Sequence, residues 1–166
     1  LCMGFTTLIT NRSPQFAAMQ VFNAVFGAGM TSKLFMNVRE RLSLCYSIGS
    51  GYYGSKGIIT VNAGIDTDKE TVVREEILRQ LQAVQRGDWE DWELTGARST
   101  IFSSLRSIND SQAALENWYL GQTATGEIET PEEMARQLAE VTPQRICAAA
   151  ETIALDTVYF LKGKEE

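Results

Sequence analysis

Apolar positions recur along this chain in two rhythms, and the switches between them mark out its elements. Leu1 to Thr10 is an apolar, β-branched run that predicts a strand. Asn11 to Pro14 is turn chemistry, with Pro14 suited to a first helical turn. Gln15 to Phe26 carries Phe16, Met19, Phe22 and Phe26 on one side, with Val21 and Val25 beside them. A helix apolar nearly all round belongs inside a protein. Gly27 and Gly29 are expected to end it through their tolerance of positive φ. Thr31 or Ser32 can cap a following short helix, whose stripe is Leu34, Val38 and Leu42. Phe35 and Arg39 form the neighbouring stripe, so Arg39 falls at the edge of the buried face.

The period then drops to two. Leu44 to Tyr53 predicts a strand with Leu44, Tyr46 and Ile48 on one face. Gly54 to Lys56 is a turn, and Gly57 to Ile65 predicts a second strand with Ile59, Val61, Ala63 and Ile65 on one face. So short a link implies an antiparallel hairpin. Helical spacing returns at Thr67, where Thr67 and Glu70 read as a capping box ahead of Val73, Ile77, Leu81 and Val84, ended by Gly87. Asp88 opens a helix with Leu94, Ala97, Ile101, Leu105 and Ile108 in step, and Ser111 opens another with Leu115, Trp118 and Tyr119. Thr130-Pro131-Glu132-Glu133 is a cap, an N1 proline and a capping box together, leading to Met134, Leu138 and Val141. Thr142-Pro143 repeats the device before Ile146, Ala150 and Ile153, and Thr157 to Leu161 predicts a closing strand. The order of elements specifies an α+β fold: an antiparallel sheet with several helices packed mainly on one face. No linker or repeat interrupts it, so residues 1–166 read as a single domain.

Composition narrows the partners. Hydrophobic residues make up 44% and charged residues 22%, which excludes a disordered chain. The net charge is -6, and the 15 basic residues are scattered, so nucleic acid is not an expected partner. No apolar run reaches the roughly 18 residues of a membrane span, and no signal peptide opens the chain. Leu1 is not an initiator methionine and already reads as strand, so the chain looks like a segment cut from something longer. Cys2, Cys45 and Cys147 are far apart and odd in number, the usage of a reducing compartment, here the cytoplasm.

The chain contains no histidine. That removes HxxEH-type zinc sites, serine–histidine pairs and a histidine base for Cys45. Asp66, Asp68 and Glu70 lack the glycine and closing glutamate of a calcium loop and read as acids at a helix start. Gly27-Ala28-Gly29 follows a helix, the wrong context for a phosphate loop. Trp89 and Trp92, at a helix start, could anchor a partner but read first as packing at the edge of the domain. Arg39 and Tyr46 remain, on two elements joined by a tight connection. An arginine fork beside a phenol suits a peptide carbonyl, or the oxyanion that develops on it. An arginine in a surface ion pair and a tyrosine packed in a strand fit the same residues, and the pattern alone leaves both readings open.

The uninterrupted stretch Gly27 to Ser47 resembles the non-catalytic half of the pitrilysin/insulinase zinc peptidases, the family that includes mitochondrial processing peptidase. Its marks here are Gly27, Gly29, Met30, Ser32, Leu34, Phe35, Arg39, Glu40, Leu44, Tyr46 and Ser47. Gly64-Ile65-Asp66 and the Gly87-Asp88 break extend the likeness, which is to the C-terminal half of a bacterial member. The resemblance implies a ferredoxin-like antiparallel sheet with helices on one face, one strand of which lies outside this chain. It implies that Arg39 and Tyr46 hold the substrate carbonyl and its tetrahedral intermediate, with Gly29, Met30, Ser32 and Ser47 as substrate-binding positions. Zinc is then expected in a partner domain carrying HxxEH and none in this chain, whose first helix offers Phe16, Ala17, Met19, Gln20, Phe22 and Asn23 instead. The implied partners are that zinc-bearing domain or subunit and a peptide; association with further copies stays open. On this reading the isolated chain is no enzyme and becomes part of a metalloendopeptidase only when paired. The rival expectation is an inert assembly module of the same fold.

Overall fold

The computed structural model describes residues 1–123, 126 and 128–163. Its four strands are β1 (Cys2–Thr6), β2 (Ser47–Tyr53), β3 (Ile58–Gly64) and β4 (Ala154–Tyr159). They form one antiparallel sheet in the order β2-β3-β1-β4. Six α-helices accompany it: α1 (Phe16–Phe26), α2 (Glu70–Arg86), α3 (Asp91–Ile108), α4 (Gln112–Thr123), α5 (Pro131–Ala139) and α6 (Pro143–Glu151). A π-helical segment, Leu34–Arg41, lies between α1 and β2. The α+β architecture read from the sequence is the one observed.

Alternation in the strands aims one set of side chains at the helices. Met3, Phe5, Ile59, Val61 and Ala63 are all buried, while Thr6, Asn62 and Gly64 on the opposite face are exposed. α1 fills the space over the buried face and packs against α6, α3, α5 and β2. Nine of its residues are buried, from Ala17 to Phe26, and Phe22 and Phe26 stack with ring centroids 5.3 Å apart. The predicted stripe of α2 is buried throughout, at Val73, Ile77, Leu81 and Val84, and Gly87 ends the helix in the left-handed conformation at φ 76°. Thr130 and Thr142 cap α5 and α6 with their side chains, each followed by the N1 proline, as expected.

Several expectations need correction. Gly27 ends α1 at φ -154°, so it is not there for a positive φ; Gly29, at φ 133°, is. Gly27 is needed for space, because a Cβ on it would come within 2.5 Å of the Ser50 hydroxyl and 2.8 Å of a Leu34 methyl. The helix after the glycines closes i→i+5 bonds in place of α-helical ones, which rotates Leu42 out of the predicted stripe and leaves it exposed. The strand expected from Leu44 begins only at Ser47, so Leu44, Cys45 and Tyr46 lead into it. β1 stops at Thr6, and β4 runs earlier than the expected Thr157–Leu161. Thr67 forms no capping box: residues Thr67–Lys69 make a 3₁₀ turn and α2 starts at Glu70 without a side-chain cap. α3 starts at Asp91, not Asp88, because Glu90 and Glu93 form the capping box there. Trp89 packs against the core, whereas Trp92 is half-exposed.

Candidate functional site

The π-helix, the loop after it and the start of the β2–β3 hairpin build one corner of the molecule. Leu34 and Val38 bury one side of the π-helix, leaving Arg39 half-exposed beside them. Ser43, at φ 51°, turns the chain sharply, and the Leu44 N–H closes the turn on the Val38 carbonyl at 3.0 Å. Tyr46 is then delivered to the sheet margin, where its N–H donates to the Gly64 carbonyl at 2.8 Å. Its side chain is 72% exposed.

Arg39 and Tyr46 meet here, though not ring to fork. Arg39 Nε donates to the main-chain carbonyl of Tyr46 at 3.0 Å, and Nη1 donates to Glu40 Oε1 at 3.1 Å. The guanidinium also lies 4.7 Å from the centroid of the Phe35 ring, which supports it from beneath. The Tyr46 hydroxyl donates to Asp66 Oδ1 at 2.8 Å, and Lys69 Nζ stands 3.0 Å from the other oxygen of Asp66. Arg39, Glu40, Tyr46, Asp66 and Lys69 line an open depression of about 470 Å³ with Ser43, Leu44 and Cys45. The other N–H groups of the Arg39 fork have no protein acceptor among the described residues.

The charges arrange the proton affinities in one direction. The hydrogen bond to Asp66, and then its charge, raise the Tyr46 phenol above its ordinary value and keep it a donor. The same hydrogen bond, followed by that of Lys69, lowers Asp66. Burial raises the Cys45 thiol, against the opposing pull of Arg39 and Lys69, so it stays protonated and is no ready nucleophile.

The remaining expected site residues lie elsewhere. Gly29 and Met30 are exposed on the turn before the π-helix, outside the depression. Ser32 is 0% exposed, with its hydroxyl donated to the Gly29 carbonyl at 2.7 Å, so it holds the turn together and is closed to a substrate. Ser47 is exposed at the start of β2 opposite Gly64, in a neighbouring hollow with Leu1 and Tyr159. Side-chain spacing alone does not name Asp66 and Lys69 as neighbours of Tyr46. The hairpin register held the signal: with Ser47 opposite Gly64, the residue before Ser47 must face the residues after Gly64.

A zinc centre of the HxxEH type finds no donors on α1, where Gln20 and Asn23 stand among apolar residues and the chain has no histidine. No group of three or more acidic or cysteine side chains comes together among the described residues. No described helix is long and apolar enough to cross a membrane.

Comparison with known proteins agrees with this architecture. The family model of the peptidase M16 inactive domain matches residues 1–101. A protein of Bacillus subtilis (strain 168) named as the probable inactive metalloprotease YmfF is 36% identical over 166 residues, covering 99% of this chain and 39% of that protein. A conserved protein from Enterococcus faecalis V583 superposes with a TM-score of 0.90 at 30% identity, covering 99% of this chain and 39% of the other. A peptidase M16 inactive domain from Pseudomonas fluorescens shares the fold, with a TM-score of 0.75 at 19% identity over 93% of this chain and 39% of that one. The chain thus spans about two fifths of the length of the relatives it matches. On the strength of the family match and this architecture, the chain belongs to the peptidase M16 inactive-domain family, the pitrilysin-like group that its Gly27 to Ser47 stretch resembles.

Proposed function

We propose that residues 1–166 serve as the zinc-free half of a pitrilysin-like metallopeptidase, closing with a zinc-bearing half over an extended peptide. Arg39 and Tyr46 then present donors to the scissile carbonyl and to the oxyanion that forms from it. The observation that supports this reading best is the open depression in which both side chains lie, with part of the Arg39 fork still unengaged. A planar fork suits a carbonyl oxygen, and a phenol held protonated by Asp66 can transfer its hydrogen bond from that carboxylate to a stronger acceptor. Gly29, Met30 and Ser47, exposed though outside this depression, would guide more distant parts of the peptide. The zinc belongs to the partner half, and no step of it is carried by this chain. The three free thiols support a cytoplasmic setting.

The test joins this chain to a zinc-bearing half and measures peptide cleavage. Arg39→Ala and Tyr46→Phe are each expected to lower kcat by about tenfold to a thousandfold with little change in KM. Parent values of kcat/KM in both variants would end the proposal. One observation favours a second reading, an inert assembly module: Tyr46 and part of Arg39 already have partners within the chain, at Asp66, Glu40 and the Tyr46 carbonyl. For such a module, peptide binding would be absent or indifferent to Arg39.

A further inference from the structure

The segment that carries Arg39 is wound as a π-helix along its whole length, Leu34–Arg41, a form that is rare beyond a single turn. Two sets of buried polar groups grip it from different helices. At its start, the Lys33 ammonium stands 3.1 Å from both carboxylate oxygens of Glu93 on α3, with the two side chains only 7% and 5% exposed. Glu93 Oε2 also accepts the Glu90 N–H at 2.8 Å, so one carboxylate serves the cap of α3 and the entry to the π-helix. Farther along, Asn37 Nδ2 donates to Gln80 Oε1 at 2.9 Å. Gln80 Nε2 in turn donates to Glu76 Oε1 at 2.6 Å, and Arg79 Nη1 donates to Glu76 Oε2 at 2.6 Å. Gln80 and Glu76 are buried on α2, and none of these residues lines the depression at Arg39.

Groups of this kind are poor sources of net stability. Taking an ammonium and a carboxylate out of water offsets most of their attraction, and an apolar pair of the same volume does as well or better. What directional bonds add is a fixed relation between the parts they join. We infer that Lys33 with Glu93, and Asn37 with Gln80 and Glu76, are positioning residues that hold Leu34–Arg41 in the i→i+5 register and so aim Arg39 at the Tyr46 carbonyl. A return to i→i+4 bonding would turn each residue further about the axis. Between Leu34 and Arg39 that added turn would carry the guanidinium away from its acceptor while Leu34 stayed anchored in the core. The purpose of that aim rests on the carbonyl-binding reading above; the bracing itself does not.

The test uses the ¹⁵N-labelled chain, with Arg39→Lys to identify the Arg39 Nε–H resonance. Lys33→Met combined with Glu93→Gln removes both charges, keeps the volumes and leaves an acceptor for the Glu90 N–H. This variant is expected to fold, yet to exchange the Arg39 Nε–H about tenfold faster or more, along with the amides of Leu42, Ser43 and Leu44 that close the end of the π-helix. Asn37→Ala is expected to act in the same direction, and Lys33→Arg, which keeps the pair, to restore slow exchange. Parent exchange rates at Arg39 and at those amides in a folded double variant would overturn the inference. Should the double variant fail to fold, Asn37→Ala decides by the same readout, since Asn37 is only half-buried. Loss of the carbonyl-binding reading would show separately, as unchanged cleavage by Arg39→Ala in the joined protein.

Discussion

α1 and α4 are nearly equal in length, 11 and 12 residues, yet nine residues of α1 are buried and none of α4 is. Both were legible as helices. The difference lies in what surrounds them. α1 is enclosed by the sheet on one side and by α3, α5 and α6 on the other, and its Asn23 Oδ1 accepts the Ser50 hydroxyl at 2.7 Å. α4 touches α3 along one side and rests through Trp118, whose Nε1 donates to the Glu129 carbonyl at 2.9 Å. The match to the family model ends at residue 101, after α1 and the π-helix and before α4. The core itself does not end there: Met134, Leu138, Ile146 and Ala150 are buried beyond residue 101, so burial alone does not set where that match stops.

This contrast can be broken or sharpened by substitution. The largest effect is expected for Phe22→Ala at the centre of α1, which removes a fully buried ring stacked on Phe26 and should lower the stability of folding by about 3–5 kcal/mol in urea denaturation. Gly27→Ala comes next, at about 1–3 kcal/mol, because its methyl group meets Ser50 and Leu34 in a space already filled. Loss well below 1 kcal/mol would mean that β2 yields at this corner and that α1 is less tightly enclosed than described.

Tyr52 tests the same region through pH. Burial pushes its phenol up to about 12, and its hydroxyl donates to the Ile9 carbonyl at 3.0 Å. A phenol with a raised value in the folded state supports folding fully below the unfolded value near 10, and that support drains away as pH climbs from about 10 to 12. Stability measured across that window should therefore fall in the parent. In Tyr52→Phe the fall should be shallower, after an initial loss of about 1 kcal/mol at neutral pH from the missing hydrogen bond. The smallest effect is expected for Leu120→Ala on α4, within about 0.5 kcal/mol, since that side chain is 68% exposed. A larger loss would place α4 in the cooperative unit with α1.

The sequence disclosed the fold where a residue type admits one physical use. Thr130-Pro131 and Thr142-Pro143, each a cap followed by an N1 proline, open helices as their chemistry favours, and Val73, Ile77, Leu81 and Val84 at helical spacing form one buried stripe. Arg39 and Tyr46 stand out only through the resemblance of the ordered stretch around them, and the contact they make runs through the Tyr46 main-chain carbonyl, which no side-chain pattern announces. The π-winding was hidden, because Leu34 and Val38 satisfy both helical periods and only Leu42, falling outside, tells them apart. Lys33 and Glu93 lie 60 positions apart, and no local pattern announces an ion pair at that distance. Thr67 shows the opposite failure: a convincing capping signature was outvoted when Asp66, Thr67 and Lys69 were drawn into a tight turn, with the Asp66 side chain engaged by Tyr46 and Lys69.

Among the described residues β4 bonds to β1 alone, and Leu155 and Tyr159 stand bare along it. An unshielded rim of main-chain donors and acceptors welcomes any other extended segment, whether or not it belongs there. Residues 1–166 taken by themselves should accordingly grow stickier with concentration.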